Sequence, residues 1–168
     1  MSVCSIPDKT AYHTWSPSGS TIAFGTAAQQ LDASFSNEAE LAVYELDFSS
    51  GIGFVPRNKS VVEHKFNSLV YTHGNFIVGG HSNGSISICD ENGVLKHTIE
   101  KAHTGATRTV DCNRFKPNLI CTGGSDSEVY IWDLEKAVGG REVAKPMAPG
   151  AKTLPHTPVS AVSWNYWR

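Results

Sequence analysis

The chain has 168 residues, 40% hydrophobic and 18% charged, which suits one globular unit or part of a larger one. Fourteen Lys plus Arg against sixteen Asp plus Glu leave a formal charge of −2, and no run of like charges exceeds two residues, which speaks against a nucleic-acid or anionic-membrane surface. The N-terminal "MSVCSIPDKTAYHTW" has neither the basic nor the apolar region of a secretory signal, so a cytosolic setting is expected, with the cysteines at 4, 89, 112 and 121 kept as thiols.

In chain order, alternation and turn residues predict strands at "AYHTWS" from Ala11, "STIAFG" from Ser20, "ELAVYEL" from Glu40 and "SVVEH" from Ser60. A second set follows at "SLVYT", "NFIVG", "SISIC" and "VLKHTIE", with Asn92-Gly93 as the hairpin turn before the last. A third reads "TRTVDCN", "NLICT" and "VYIWD", with a weaker strand expected between Arg141 and Met147. A fourth set begins with "TPVSAVSW". The sequons at Asn58 and Asn83 read as turns, and Cys112 and Cys121 as buried packing residues.

Ile77 to Asp90 overlays Ile120 to Asp133 without a gap at an offset of 43, and Tyr44-Glu45 lies 45 residues before Cys89-Asp90. Such a period, ending each time in an alternating strand, predicts an all-β propeller of four-stranded blades. One connection departs from it. Gly124 to Trp132 spans eight residues but Gly25 to Tyr44 spans nineteen, so a long polar loop over 26–37 is expected on the rim.

In the third set His103 precedes the first strand, Thr122 ends the second, Asp126 sits in the turn, and Trp132 closes the third strand before Asp133. These residues resemble the WD-repeat pattern, which implies that His103, Thr122, Asp126 and Trp132 form a structural hydrogen-bonded relay. A buried indole and a buried imidazole each need a partner, and an Asp in a turn can end the chain of donors. A Ser-His-Asp catalytic reading fails for want of a surface nucleophile beside the histidine. The second set has Asn83, Gly79 and Cys89 at the corresponding places, so that blade is expected to hold its shape by packing alone.

"GTAAQQLDASFS", "YELDF", "HTGATRTVDCNRFKPNLICTGGSDSEVYIWDLE" and "PMAPGAKT" closely resemble the N-terminal propeller of the large subunit of the COPII outer coat, from Thr10 to Asn165. The resemblance implies a scaffold, not an enzyme, that acts in the cytoplasm at endoplasmic reticulum exit sites and on coated vesicles in transport to the Golgi, peripheral to the membrane. It implies no cofactor. Its expected partners are the small propeller subunit and other copies of itself, with the inner coat and its GTPase met through regions outside these residues. The family propeller has seven blades, so three blades and the first strand of a fourth are expected here, and with them an unclosed, aggregation-prone fragment. The expected divisions are an N-terminal strand over 1–10 that completes the last blade of the ring, blade 1 over 11–63, blade 2 over 64–101, blade 3 over 102–155 and the start of blade 4 over 156–168. In the long loop Gln29, Gln30, Leu31, Asp32 and Phe35 are the candidate partner-binding residues, with Leu31 and Phe35 as apolar anchors.

A generic WD-repeat adaptor, such as a ubiquitin-ligase substrate receptor, is the competing reading, and it has no reason to carry "GTAAQQLDASFS". An enzyme framed on a propeller would need a phosphate loop, an HExxH or a Cys/His zinc spacing, none of which the sequence contains.

Overall fold

Among the described residues, apolar strands separated by glycine and asparagine turns pair into three antiparallel sheets. The computed structural model describes residues 10–28, 38–47, 49, 53–139 and 157–165. The first sheet, blade 1, is a meander of β1 (Ala11–Trp15), β2 (Thr21–Thr26), β3 (Ala39–Asp47) and β4 (Gly53–Val62). Blade 2 repeats it with β5 (Phe66–Tyr71), β6 (Ile77–His81), β7 (Ile86–Cys89) and β8 (Leu95–Ile99). Blade 3 has β9 (Thr107–Cys112), β10 (Leu119–Gly124) and β11 (Val129–Asp133), followed by a short helix, α1 (Leu134–Val138). The register repeats with the sequence period: Ile22 faces Tyr44, Ile77 faces Cys89 and Ile120 faces Trp132.

Burial follows from stacking. Every residue of β6 and β7 is buried, because blade 2 is covered on both faces and its strands can be apolar throughout. In β3 the burial alternates: Ala39, Leu41 and Val43 are buried, the last two in the core shared with blade 2, and the intervening Glu40, Ala42 and Tyr44 are half-buried. One core joins blades 1 and 2 through Ala23, Leu41, Val43, Phe66, Tyr71, Ile77 and Cys89. The other joins blades 2 and 3 through Val78, Ile86 and Ile88 on one side and Val110, Ile120, Trp132 and Leu134 on the other.

The blades also meet by a repeated fitting. Gly25, Gly80 and Gly123 each stand three residues after the core isoleucine of their strand. Onto each presses the leading residue of the next blade, Phe66, Thr107 and Val159 respectively. A Cβ at Gly25 would come within 2.5 Å of the Phe66 ring, and one at Gly80 within 2.7 Å of Thr107. Beside this socket, side chains of one inner strand accept backbone N–H groups of the next. Thr14 Oγ1 accepts from Tyr71 at 2.9 Å, and Ser68 Oγ accepts from Val110 at 3.1 Å. Thr109 Oγ1 and Asp111 Oδ2 accept from Val162 and Trp164 at 3.3 and 2.7 Å. Residues 157–165 thus lie along blade 3 where the next inner strand belongs, held by these bonds and by Val159 N–H to Gly124 O.

Four sequence expectations need correction or completion. The last strand of blade 1 begins at Gly53, not Ser60: none of β4 is buried and half of it is exposed, so it carries a polar run and Pro56 that hide its alternation. Asn58 therefore lies within β4, where its Nδ2 donates to Asn92 O at 2.8 Å, and is not a turn. Asn83 does sit in a turn, and Asn92-Gly93 closes the expected hairpin with Gly93 at φ 77°. After β11 the chain turns into α1, capped by the Asp133 carboxylate accepting from Glu135 N–H, whereas the strand expected between Arg141 and Met147 lies outside the described residues. Finally, blade 2 is not held by packing alone: His81 and Ser87 form a buried polar pair at 2.8 Å.

Candidate protein-interaction site and its supporting relay

In blade 3 the indole of Trp132 is 2% exposed, and its Nε1–H donates to Thr122 Oγ1 at 2.8 Å. Thr122 Oγ1 lies 2.8 Å from His103 Nε2, and His103 Nδ1 lies 3.0 Å from Asp126 Oδ1. A carboxylate only accepts, so Nδ1 carries the imidazole proton, and Nε2 accepts from the Thr122 hydroxyl. The donors run in one direction, from Trp132 through Thr122 and His103 to Asp126. Asp126 also accepts from the amides of Thr104 at 2.9 Å and Glu128 at 3.2 Å, which ties the loop before β9 to the β10–β11 turn.

Electrostatics agree with this arrangement. Burial holds the His103 imidazole below its ordinary 6.5, although Asp126 pulls the other way, so the neutral ring is the resident form. For Asp126 burial opposes the charge, but the Thr104 amide, His103 and the Glu128 amide outweigh it and keep the carboxyl below its ordinary 3.8. The hydroxyl of this His-Asp pair points inward and Thr122 is 0% exposed, out of reach of a dissolved substrate. Burial also raises the three described thiols, those of Cys89 and Cys121 to about 12 and that of Cys112 in the same direction, which suits packing and not nucleophilic attack. Among the described residues no group of three or more His, Cys, Asp or Glu is placed to hold a metal ion.

The long rim connection is fixed at its base. Thr26 Oγ1 accepts from Glu40 N–H at 3.0 Å, which closes the stem, and Glu40 pairs with Lys59 at 2.9 Å. On the departing side Ala27 bridges to Phe66, and Ala28 N–H donates to Phe66 O at 2.7 Å. The connection thus leaves β2 beside the seam between blades 1 and 2 and returns into β3, both strands of blade 1, with its first residues bonded to Phe66 of blade 2. The candidates Gln29, Gln30, Leu31, Asp32 and Phe35 lie outside the described residues. Sequence reasoning missed the glycine sockets and the His81–Ser87 pair. The first had a visible signal in the glycine that recurs three places after each core isoleucine, and the second in a histidine standing where blade 3 has Gly124.

Comparison with known proteins adds the following. No family model matches the chain. It is 36% identical over 177 aligned residues to protein transport protein Sec31A of Danio rerio, covering 94% of this chain and 14% of that protein. The Homo sapiens Sec31A is 35% identical, with the same coverage, and SEC31 of Candida glabrata is 31% identical over 84% of this chain and 11% of its own length. The chain therefore spans about one seventh of the length of the Sec31A relatives. Among solved structures, a chain of the outer coat vertex of COPII on membranes superimposes with a TM-score of 0.79 and 26% identity, over 90% of this chain and 41% of that one. A chain of the mitotic checkpoint complex matches with a TM-score of 0.69 and 18% identity, which shows the propeller fold alone.

Proposed function

The chain belongs to the Sec31 family of protein transport proteins, and from that premise we propose that it is a structural scaffold subunit of the COPII outer coat, contributing its propeller to cage vertices in vesicle transport. The observation that carries this reading is the superposition on the outer coat vertex, which extends over 90% of the chain at an identity above that of unrelated propellers. It is a non-enzymatic role: the relay points inward, the described thiols are buried, and what the blades offer to a partner is their rims.

Within the proposal, the 26–37 connection is the partner-facing part, because the sequence runs a long polar segment between two clamped strands where the other blades have tight turns at Ser82–Gly84 and Ser125–Ser127. Its partners are coat subunits: the small propeller, further copies of this protein and, through other regions, the inner coat and its GTPase. The protein works on the cytosolic side at endoplasmic reticulum exit sites, peripheral to the membrane. Among the described residues no helix is long and apolar enough to cross one.

Affinity purification of the tagged protein tests the assignment, with coat subunits as the expected co-purifying proteins. Recovery of ubiquitin-ligase subunits in their place would overturn it. The loop is tested separately by shortening residues 29–37 to two and following outer-coat assembly on membranes, where fewer or misshapen vertices are expected. Unchanged assembly would remove the loop from the proposal.

A further inference from the structure

Blade 2 lacks every relay residue of blade 3 except in chemistry. The shared register places His81 where blade 3 has Gly124, Ser87 where it has Tyr130, Gly79 where it has Thr122 and Cys89 where it has Trp132. Gly124 is glycine for a local reason: a Cβ there would strike the His103 ring and Asp126. Four residues before Phe66, where the His103 of this blade would stand, the chain has Val62. The space left open is filled from the strand side, by the ring of His81 itself, buried at 3% exposure.

The His81 ring has defined partners. Its Nδ1 lies 3.2 Å from Lys65 O, a pure acceptor, so Nδ1 carries the proton and Nε2 accepts from Ser87 Oγ at 2.8 Å. Its face lies against Phe66, with ring centroids 4.8 Å apart. Lys65 and Phe66 are also the segment that joins blade 1: the Phe66 ring fills the space over Gly25, and Phe66 O accepts from Ala28. One imidazole thus grips, by an edge and a face, the two residues that hold the seam closed.

We infer that His81 is a proton-sensitive clasp between blades 1 and 2, whose neutral ring keeps Lys65 and Phe66 in the glycine socket and whose protonation at Nε2 releases them. A proton on Nε2 displaces the Ser87 hydrogen and places a cation in a buried site. The groups facing it are Ser87 from β7, Phe66 from β5 and, from the β4–β5 connection, His64 at 6.2 Å between centroids and the Lys65 carbonyl. Among the described residues, blade 1 meets this segment at Gly25, Ala27 and Ala28, none ionisable. Among the described residues its hydrogen-bond partners include no carboxylate such as Asp126 offers His103, and the neighbouring His64 itself pairs with Glu63 at 3.8 Å. Burial, opposed by the backbone carbonyls of Lys65 and His64, holds His81 below the ordinary 6.5. A base whose folded value is lowered is bound fully above its unfolded value, so the clasp is intact above about pH 6.5 and opens progressively as pH falls below it.

Amide hydrogen exchange of the whole protein, corrected for intrinsic rates, from about pH 7.5 to about 5.5 tests this. The amides of Ala28 and Tyr71 report the blade 1–2 seam, and that of Val110 reports the blade 2–3 seam. The expected result is a loss of protection of about tenfold at Ala28 and Tyr71 relative to Val110, absent in His81→Gln, whose amide donates and accepts in the same directions without titrating. Equal loss in His81→Gln, or no selective loss in the parent, overturns the clasp. Should His81→Gln fail to fold, Ser87→Ala serves: it removes the donor that favours the neutral ring, so the loss moves to higher pH, and an unmoved midpoint overturns the inference equally.

Discussion

Trp132→Phe isolates the energetic content of the blade 3 relay. The substitution keeps an aromatic ring in a site that is 2% exposed and can preserve the edge contact with Tyr130, whose centroid lies 5.8 Å away. Two things are lost. The hydrogen bond from Nε1 to Thr122 at 2.8 Å contributes a net of about 1 kcal/mol, and the smaller ring forfeits apolar burial worth roughly 1 kcal/mol at ~25 cal/mol per Å². The expected destabilisation is about 2 kcal/mol, read as a lower urea midpoint at unchanged slope by far-ultraviolet circular dichroism. Area alone would give half of that, so the bond needs its own control. Thr122→Val preserves shape but strands the indole N–H and leaves His103 Nε2 without a donor, at a cost of about 1 to 3 kcal/mol. With the threonine hydroxyl already gone, Trp132→Phe no longer breaks a bond and even removes a stranded donor. The double variant is therefore expected to be more stable than the sum of the singles predicts, by about 1 kcal/mol or more. Additivity to within about 0.3 kcal/mol would refute the assignment of energy to this bond.

Gly25→Ala should destabilise by about 1 to 3 kcal/mol in thermal melts, since the new Cβ meets the buried Phe66 ring, while a parent-like melt would show the socket to be compliant. Gly19→Ala meets no atom within 4 Å but sits at φ 71°, so its expected cost of about 1 kcal/mol is backbone strain alone. Thr14→Val removes the acceptor for the Tyr71 amide, with an expected loss of about 1 kcal/mol and faster exchange of that one amide. Acidification should weaken blade 3 in two steps: loss as pH falls below about 6.5, where the buried His103 takes a proton less readily than in the unfolded chain, and further loss below about 3.8, where the depressed Asp126 carboxyl is finally neutralised. Asp126→Asn should abolish the second step, as followed by equilibrium unfolding across pH.

The architecture was legible because it is written in short range. A 43-residue period, hairpins with glycine and asparagine turns and alternating strands are all contained within one blade, and the register of Ile77 with Cys89 and of Ile120 with Trp132 follows the same period. The chain from Trp132 to Asp126 belongs to one blade too, and its residue types are few enough to single out in sequence. The junctions were not legible, since each depends on two residues from different repeats: Phe66 has meaning only against Gly25, and Ser68 only against the Val110 amide. His81 escaped notice for a related reason. Comparing repeats by the four relay positions marks blade 2 as deficient, whereas the compensating ring arrives from the opposite wall of the same space. The polar course of β4 reflects its exposure, which removes the apolar alternation that a sequence reading needs.

The glycine sockets also have a geometric meaning. At Gly25 and Gly80 the facing blades approach backbone to side chain with no Cβ between them, whereas further along the same seams Leu41 and Val43, or Trp132 and Leu134, hold the sheets apart. Each seam is therefore thin on one side and thick on the other, a taper made from residue volume. Repeated from seam to seam, a taper becomes a rotation, and the angle per blade fixes how many blades complete a turn. The volume at one glycine is then a setting for curvature: enlarging it would fan neighbouring blades toward parallel, and any surface composed across several blades would change shape while each blade kept its own fold.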